Sequence, residues 1–117
     1  MNLIGHKFYV TSLAQLEYNV LASSSSDHTV ILWDLDIGSL KYQLQGHSNW
    51  VTCLVKLENN LLASGSTDAT IQIWNVTTGQ LMFILNKHTY GVTSLAYLGD
   101  GHLASGSQDD TVKLWKI

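Results

Sequence analysis

Short runs of apolar and β-branched residues, separated by turn residues, recur along the chain and predict β-strands. In the middle of the chain, residues 50–57 form one such run, and residues 61–66 form a second after a turn at 58–60. Residues 70–75 and 81–85 complete a set of four strands. Because no segment shows a sustained period of 3.6 residues, the pattern predicts no helix.

The same set of positions recurs every 41 residues. Residues that share this spacing include Trp33, Trp74 and Trp115, and also Thr29, Thr70 and Thr111. A fixed period of this length indicates a repeat architecture, in which a unit buries its apolar surface only by stacking on its neighbours. We therefore interpret the chain as three copies of one four-stranded unit.

Each copy carries two short motifs at the same phase, a dipeptide ending in His and a dipeptide beginning with Trp. The pairs are Gly5-His6 with Trp33-Asp34, Gly46-His47 with Trp74-Asn75, and Lys87-His88 with Trp115-Lys116. The unit resembles the WD repeat, the blade of a β-propeller. The third copy departs from the motif by lacking the Gly, and the last two copies lack the Asp.

This resemblance covers the whole chain and implies its architecture. It implies an all-β fold of three propeller blades, each with four antiparallel strands, in a single domain over residues 1–117. The repeat phases are about 5–45, 46–86, and 87–117 together with 1–4. Residues 1–4 are in phase with the end of a fourth strand, whereas the last residues are in phase with a third strand.

Three blades are too few for a closed ring, since propellers have about four to eight. Each end of the array would leave an apolar sheet face bare, without the polar cap that an open array needs. Two explanations stay open: the other blades lie in a longer protein, or copies of the chain join head to tail. For copies, we favour a homodimer of six blades over a trimer of nine, because ordering two chains costs less entropy.

Composition excludes several classes of function. The net charge is −3, with six Lys and no Arg, so the chain has no basic surface for nucleic acid. Its apolar runs are too short to span a membrane, and its first residues do not read as a signal peptide. The single cysteine, Cys53, excludes a disulfide within the chain. These features lead us to expect a reducing, cytoplasmic setting.

Ser, His and Asp recur together, as they do in hydrolases, but in three copies that each include a Trp. A catalytic triad is instead one asymmetric group with an exposed nucleophile. The resemblance implies hydrogen-bonded networks that stabilise each blade, running from the indole N–H through Ser and His to Asp. The predicted networks are His6, Ser23, Asp27 and Trp33; His47, Ser64, Asp68 and Trp74; and His88, Ser105, Asp109 and Trp115. We therefore expect no enzyme activity and no cofactor.

The recurrent histidines suggest a metal site only if the blades point them toward one centre. The resemblance implies that each His faces its own blade, so we expect no metal either. It also implies that partners dock on the face that carries the His loops. The residues predicted on this face are Tyr9, Thr11, Ser26, Trp50, Thr52, Thr67, Thr93 and Gln108, with Gly91 in phase with the two aromatic residues.

This predicted face carries no charge, which argues against recognition of an acidic or basic motif. The expected function is a scaffold for protein or peptide partners, because Tyr and Trp commonly anchor such interfaces. One alternative is a self-assembling propeller without a dedicated partner. Another is that Tyr9 and Trp50 only pack on neighbouring loops.

Overall fold

The computed structural model describes residues 1–117 and contains eleven β-strands and no helix. No helix is therefore available that is long and apolar enough to span a membrane. The strands are β1 Val10–Glu17, β2 Val20–Ser25, β3 Thr29–Asp34, β4 Ser39–Gln45, β5 Val51–Lys56, β6 Leu61–Ser66, β7 Ile71–Asn75, β8 Gln80–Leu85, β9 Val92–Gly99, β10 His102–Ser107 and β11 Val112–Lys116.

The strands form three antiparallel sheets in which sequence neighbours pair. Blade 1 has the order β1-β2-β3-β4, blade 2 has β5-β6-β7-β8, and blade 3 has β9-β10-β11. The prediction of an all-β fold made of propeller-type blades is confirmed. The third sheet has three strands in this chain, so β11 lies at its edge.

Turn chemistry explains where the strands reverse. Asn59 and Asn60, between β5 and β6, have φ of 59° and 60°. This left-handed conformation is one that Asn tolerates well, so the turn predicted at 58–60 is present. Gly79, between β7 and β8, has φ of 75°, a conformation that glycine adopts without steric cost.

The apolar core lies between the sheets and consists of two clusters. The cluster between blades 1 and 2 contains Leu16, Val20, Ala22, Val30, Leu32, Leu44, Val51, Leu54, Leu62, Trp74 and Val76. The cluster between blades 2 and 3 contains Cys53, Leu57, Ala63, Ile71, Ile73, Val92 and Leu103. Each internal blade face is therefore buried by the next blade, as the repeat period requires.

Threonine hydroxyls cross both junctions at equivalent positions. The Thr11 hydroxyl of blade 1 donates to the Val51 carbonyl of blade 2 at 2.5 Å. The Thr52 hydroxyl of blade 2 donates to the Val92 carbonyl of blade 3 at 2.5 Å. These bonds fix the height of one blade relative to the next, because apolar packing alone is not directional.

Residues 1–4, predicted as the end of a fourth strand, form no strand here. They run beside blade 1, where Leu3 and Ile4 line an apolar hollow with Leu13 and Trp33. A strand needs a hydrogen-bonded neighbour to satisfy its backbone groups, and none of the three sheets includes residues 1–4.

The junction between blades 2 and 3 leaves no room at Gly65. A β-carbon there would lie 2.6 Å from Cys53 Sγ and 2.7 Å from Val92 Cγ1. Gly65→Ala is expected to destabilise the protein by about 1–3 kcal/mol through overpacking. Urea unfolding followed by tryptophan fluorescence measures the change.

Gly106, one period later, provides the matched control. The only atom within 3 Å of a β-carbon at this position would be the oxygen of the rotatable Ser94 hydroxyl, at 2.7 Å. In the monomer, Gly106→Ala should therefore cost less than Gly65→Ala, so both variants are unfolded at a concentration at which the chain is monomeric. Equal unfolding midpoints for the two variants would contradict this account of the junction.

Candidate functional site

A chain of hydrogen bonds runs through blade 2 from its core to its surface loop. The Trp74 indole N–H donates to Ser64 Oγ at 2.8 Å, and Ser64 Oγ lies 2.7 Å from His47 Nε2. His47 Nδ1 lies 2.8 Å from Asp68 Oδ2. A neutral imidazole that is protonated on Nδ1 satisfies each contact, since it accepts from the hydroxyl and donates to the carboxylate.

The other two blades repeat this network with nearly the same distances. In blade 1, the contacts Trp33–Ser23, Ser23–His6 and His6–Asp27 measure 2.8, 2.7 and 2.9 Å. In blade 3, the contacts Trp115–Ser105, Ser105–His88 and His88–Asp109 measure 2.8, 2.7 and 2.7 Å. The structure thus brings together every residue of the three predicted networks. No group of three or more His, Cys, Asp or Glu side chains is placed to hold a metal ion.

Each Asp also holds two pieces of backbone in place. Asp68 Oδ1 accepts from the Thr70 N–H at 2.9 Å and the Thr70 hydroxyl at 2.6 Å, while Oδ2 accepts from the Ser48 N–H at 3.0 Å. The loop that follows His47 and the turn between β6 and β7 are therefore tied to one carboxylate. Ser64 is fully buried, which places its hydroxyl out of reach of a substrate.

The hydrogen bonds govern the charge state of these carboxylates. Partial burial of Asp68 by itself raises the pKa, but hydrogen bonds from the His47 ring, the Thr70 hydroxyl and the Thr70 backbone N–H outweigh it. The pKa of Asp68 therefore lies well below its ordinary value, and that of Asp27 is lowered in the same way. For Asp109, the hydrogen bond from the Thr111 hydroxyl is the largest cause of a lowered pKa.

Exposed aromatic side chains lie on the loops that these networks hold. Tyr9 is 76% exposed and Trp50 is 47% exposed, and Phe8 is also exposed. Together with Ser26 and His28 they line a groove of about 370 Å³ at the join of blades 1 and 2. Ser26 is buried, so it presents little surface to this groove. Phe8 was missed in the sequence, because only its equivalent in blade 3, Tyr90, is aromatic, and its equivalent in blade 2 is Asn49.

The backbone behind the aromatic residues is fixed at equivalent points. The Tyr9 carbonyl accepts from the Ser26 N–H, and the Trp50 carbonyl accepts from the Thr67 N–H, both at 2.9 Å. The third equivalent is Gly91, whose carbonyl accepts from the Gln108 N–H at 2.9 Å. Gln108 Oε1 lies 2.8 Å from the position that a β-carbon on Gly91 would take, so Gln108 covers this place in blade 3.

The predicted threonines have different roles. Thr11 and Thr52 use their hydroxyls to join blades, a function that sequence reasoning missed. Thr67 is half-buried, and its hydroxyl donates to the Trp50 carbonyl at 3.4 Å. Thr93 is exposed and donates to the Gly106 carbonyl of its own blade at 3.3 Å.

The fold and these networks define a class of protein, and comparisons with known proteins agree with it. The family model "WD domain, G-beta repeat" matches residues 1–34, 38–75 and 79–116. The chain belongs to this WD40 family. Each later match begins one residue before a fourth strand and ends on the last residue of the third strand of the next blade, so a sequence repeat straddles two blades.

Among solved structures, the one titled "Structure of U3-55K" is similar to this chain with a TM-score of 0.92 and 28% sequence identity. The match covers 98% of this chain and 38% of that chain, so the present chain spans well under half of its length. Because 943 chains of solved structures match, the likeness singles out no particular partner. A search of curated proteins finds no match.

The network of blade 2 predicts the effect of removing its carboxylate. Asp68→Ala leaves the His47 ring and three backbone or hydroxyl donors without an acceptor. It is expected to lower the free energy of unfolding by about 1–3 kcal/mol. Asp36→Ala, which removes an exposed carboxylate from the opposite end of blade 1, is the control. A midpoint of urea unfolding unchanged by Asp68→Ala would refute the structural role of the network.

The lowered pKa values also predict how stability depends on pH. A carboxylate with a pKa lower in the folded state stabilises the fold above its unfolded pKa of about 4, and that stability is lost as the pH falls. The urea midpoint should therefore fall below about pH 4–5. It should fall less steeply in Asp68→Ala, which lacks one of the three carboxylates. Parallel pH profiles for the two proteins would contradict this assignment.

Proposed function

We propose that this chain is a non-enzymatic scaffold that binds a protein or peptide on the face carrying its His loops. WD40 repeats are generally protein-interaction scaffolds and typically not enzymes. The observation that carries the proposal for this chain is the groove between blades 1 and 2. It presents the exposed aromatic side chains Phe8, Tyr9 and Trp50 side by side.

The loops that carry these side chains are held before any partner arrives. Asp27 Oδ2 accepts from the Lys7 N–H at 3.0 Å, just before Phe8. Asn49 Oδ1 accepts from the Trp50 N–H at 2.8 Å, and the Trp50 carbonyl is bonded as well. A fixed backbone lowers the entropy that binding must overcome, so the aromatic rings are suited to act as anchors.

The groove also indicates the chemistry of the partner. Its lining contains three aromatic rings, a serine and His28, and no Asp, Glu, Lys or Arg. Such a surface favours an extended segment that inserts an apolar or aromatic side chain, and it offers no counter-charge to an acidic or basic motif. A protein or peptide with an exposed apolar residue is the partner class that we propose.

The chain itself is a second proposed partner. Two copies would supply six blades and three copies would supply nine. We favour two copies because ordering two chains costs less entropy than ordering three. In the alternative function, such a ring is a structural unit without a dedicated partner. The two functions differ in one respect: only a scaffold needs the side chains of the groove for binding.

Replacement of Trp50 tests the scaffold function. A displayed library of random peptides should yield binders that carry an aromatic or large apolar residue. Trp50→Ala should weaken such a binder by about 2 kcal/mol or more, as loss of an anchor aromatic does. Tyr18→Ala, which removes an exposed aromatic residue from the opposite end of blade 1, should leave the affinity unchanged. Binders unaffected by Trp50→Ala would sink the proposed face, and an empty selection would favour the structural alternative.

Trp50 and Trp74 should behave in opposite ways. Trp74 is 2% exposed within the core, so Trp74→Ala should destabilise the fold by about 3–5 kcal/mol. Trp50→Ala should leave stability almost intact. Iodide quenching of fluorescence checks the assignment without a partner, since Trp50→Phe should remove most of the iodide-accessible emission. Equal quenching before and after that substitution would mean that Trp50 is protected and that the groove is misplaced.

A further inference from the structure

The groove between blades 1 and 2 contains hydrogen-bond donors that the fold does not use. The indole N–H of Trp50, the hydroxyl of Tyr9 and the ring of His28 make no hydrogen bond within the chain, and these residues bond only through their backbone atoms. By contrast, the indole N–H groups of the other three tryptophans all donate to serine hydroxyls at 2.8 Å. An indole N–H donates and never accepts. The groove therefore presents donors to a ligand.

The acceptors on the same loops are already occupied. The carbonyls of Tyr9 and Trp50 accept from N–H groups of the turns that follow β2 and β6, both at 2.9 Å. Both carboxylate oxygens of Asp27 accept hydrogen bonds from its own network. The lining of the groove contains no Asp, Glu, Lys or Arg. It therefore suits a segment that presents acceptors and apolar surface rather than charges or free N–H groups.

The spacing of the two equivalent aromatic residues selects a conformation for that segment. Tyr9 and Trp50 occupy the same phase of neighbouring blades, and sheets that pack face to face lie about 10 Å apart. In a polyproline II segment every third residue points in the same direction, and a rise of about 3.1 Å per residue gives a repeat of about 9 Å. Side chains on one face of a β-strand recur about every 7 Å, which does not match. The polyproline II repeat therefore places one side chain on each ring.

Hydrogen bonding distinguishes this conformation from a helix. An α-helix also repeats near the required distance, since seven residues span about 10.5 Å. Its carbonyls are bonded within the helix, so it would leave the donors of Tyr9 and Trp50 unpaired. A polyproline II segment has no internal hydrogen bonds, and its carbonyls are free to accept. Proline suits this segment further, because it has no N–H to leave unpaired and its φ is already fixed.

We propose that the groove binds a proline-rich segment of a partner in the polyproline II conformation, with two prolines three positions apart on Tyr9 and Trp50. This inference rests on the proposed scaffold function and specifies its partner. The faces of the two rings contact the prolines, and the Trp50 indole N–H donates to a carbonyl of the segment. A large apolar residue beside one proline packs on Phe8, which lines the same groove and has no polar group in its side chain.

Peptide libraries with a fixed proline spacing test this proposal on the full chain. Three displayed libraries carry two prolines separated by one, two or three random residues and are otherwise identical. The library with two intervening residues should yield binders about tenfold tighter or more than the other two, because only that spacing places a proline on each ring. Trp50→Ala should weaken these binders by about 30-fold or more.

Tyr90→Ala is the matched control for the replacement of Trp50. Tyr90 is an exposed aromatic residue on the equivalent loop of blade 3, and it does not line the groove. Its loss should leave the affinity of the proline-spaced binders unchanged. Equal weakening by Tyr90→Ala and Trp50→Ala would overturn the placement of the prolines in this groove.

The remaining outcomes separate this inference from the scaffold function on which it rests. Binders that depend on Trp50 but show no preference among the three spacings overturn the proline inference and leave the scaffold function standing. Proline-spaced binders that are unaffected by Trp50→Ala overturn both the groove and its proposed ligand. An empty selection from every library also overturns both.

Magnetic resonance of the indole N–H groups provides a second measurement. The chain has four tryptophans, so its hydrogen–nitrogen correlation spectrum contains four indole signals. A bound proline peptide should shift the Trp50 signal downfield, whereas the indoles of the three blade networks already donate within the fold and serve as internal controls. Trp50→Phe identifies the signal and should weaken the same peptide by up to about tenfold, through loss of one hydrogen bond. Binding that leaves the Trp50 signal in place would overturn the role of this indole as a donor to the ligand.

Discussion

Burial of one blade face by the next is the constraint on which this structure depends. A single four-stranded sheet has two apolar faces and covers neither by itself. The position occupied by Val30, Ile71 and Val112 shows the consequence, because its exposure is set by whether another blade follows. Apolar packing supplies the driving force, and the threonine hydroxyls that cross each junction supply the direction that packing lacks.

The second organising feature connects this core to the surface. Each network begins at an indole that is packed against the strands and ends at a carboxylate that gathers backbone N–H groups from two loops. The loops are thus connected through hydrogen bonds to a tryptophan that packs within the blade. An aromatic residue placed three positions after the His, as Tyr9 and Trp50 are, is then displayed on a supported backbone. The same hydrogen bonds thus stabilise the blade and support the face on which we propose that a partner binds.

Local rules were sufficient to predict most strands and turns, whereas the partners within each network were implied by the resemblance to the WD repeat. Alternation, turn residues and a period of 41 residues are all properties of the sequence. The junction bonds of Thr11 and Thr52 could not be predicted, because a period aligns equivalent residues but does not say how high one sheet stacks against another. Phe8 was missed because the aromatic signal at this phase is incomplete: Tyr90 in blade 3 is aromatic, but Asn49 in blade 2 is not.

The face that carries the His loops has two kinds of position: those at which the three copies have the same residue and those at which they differ. Thr11, Thr52 and Thr93 are identical, and the two of them that have a following blade make the same bond to it. A residue that is the same in all three copies thus marks a contact that joins one blade to the next. Tyr9, Trp50 and Gly91 differ, although their carbonyls make identical bonds, so only their side chains are free of the structural requirement. The proposed binding face uses such positions, where the backbone is fixed by the fold and the side chain is not.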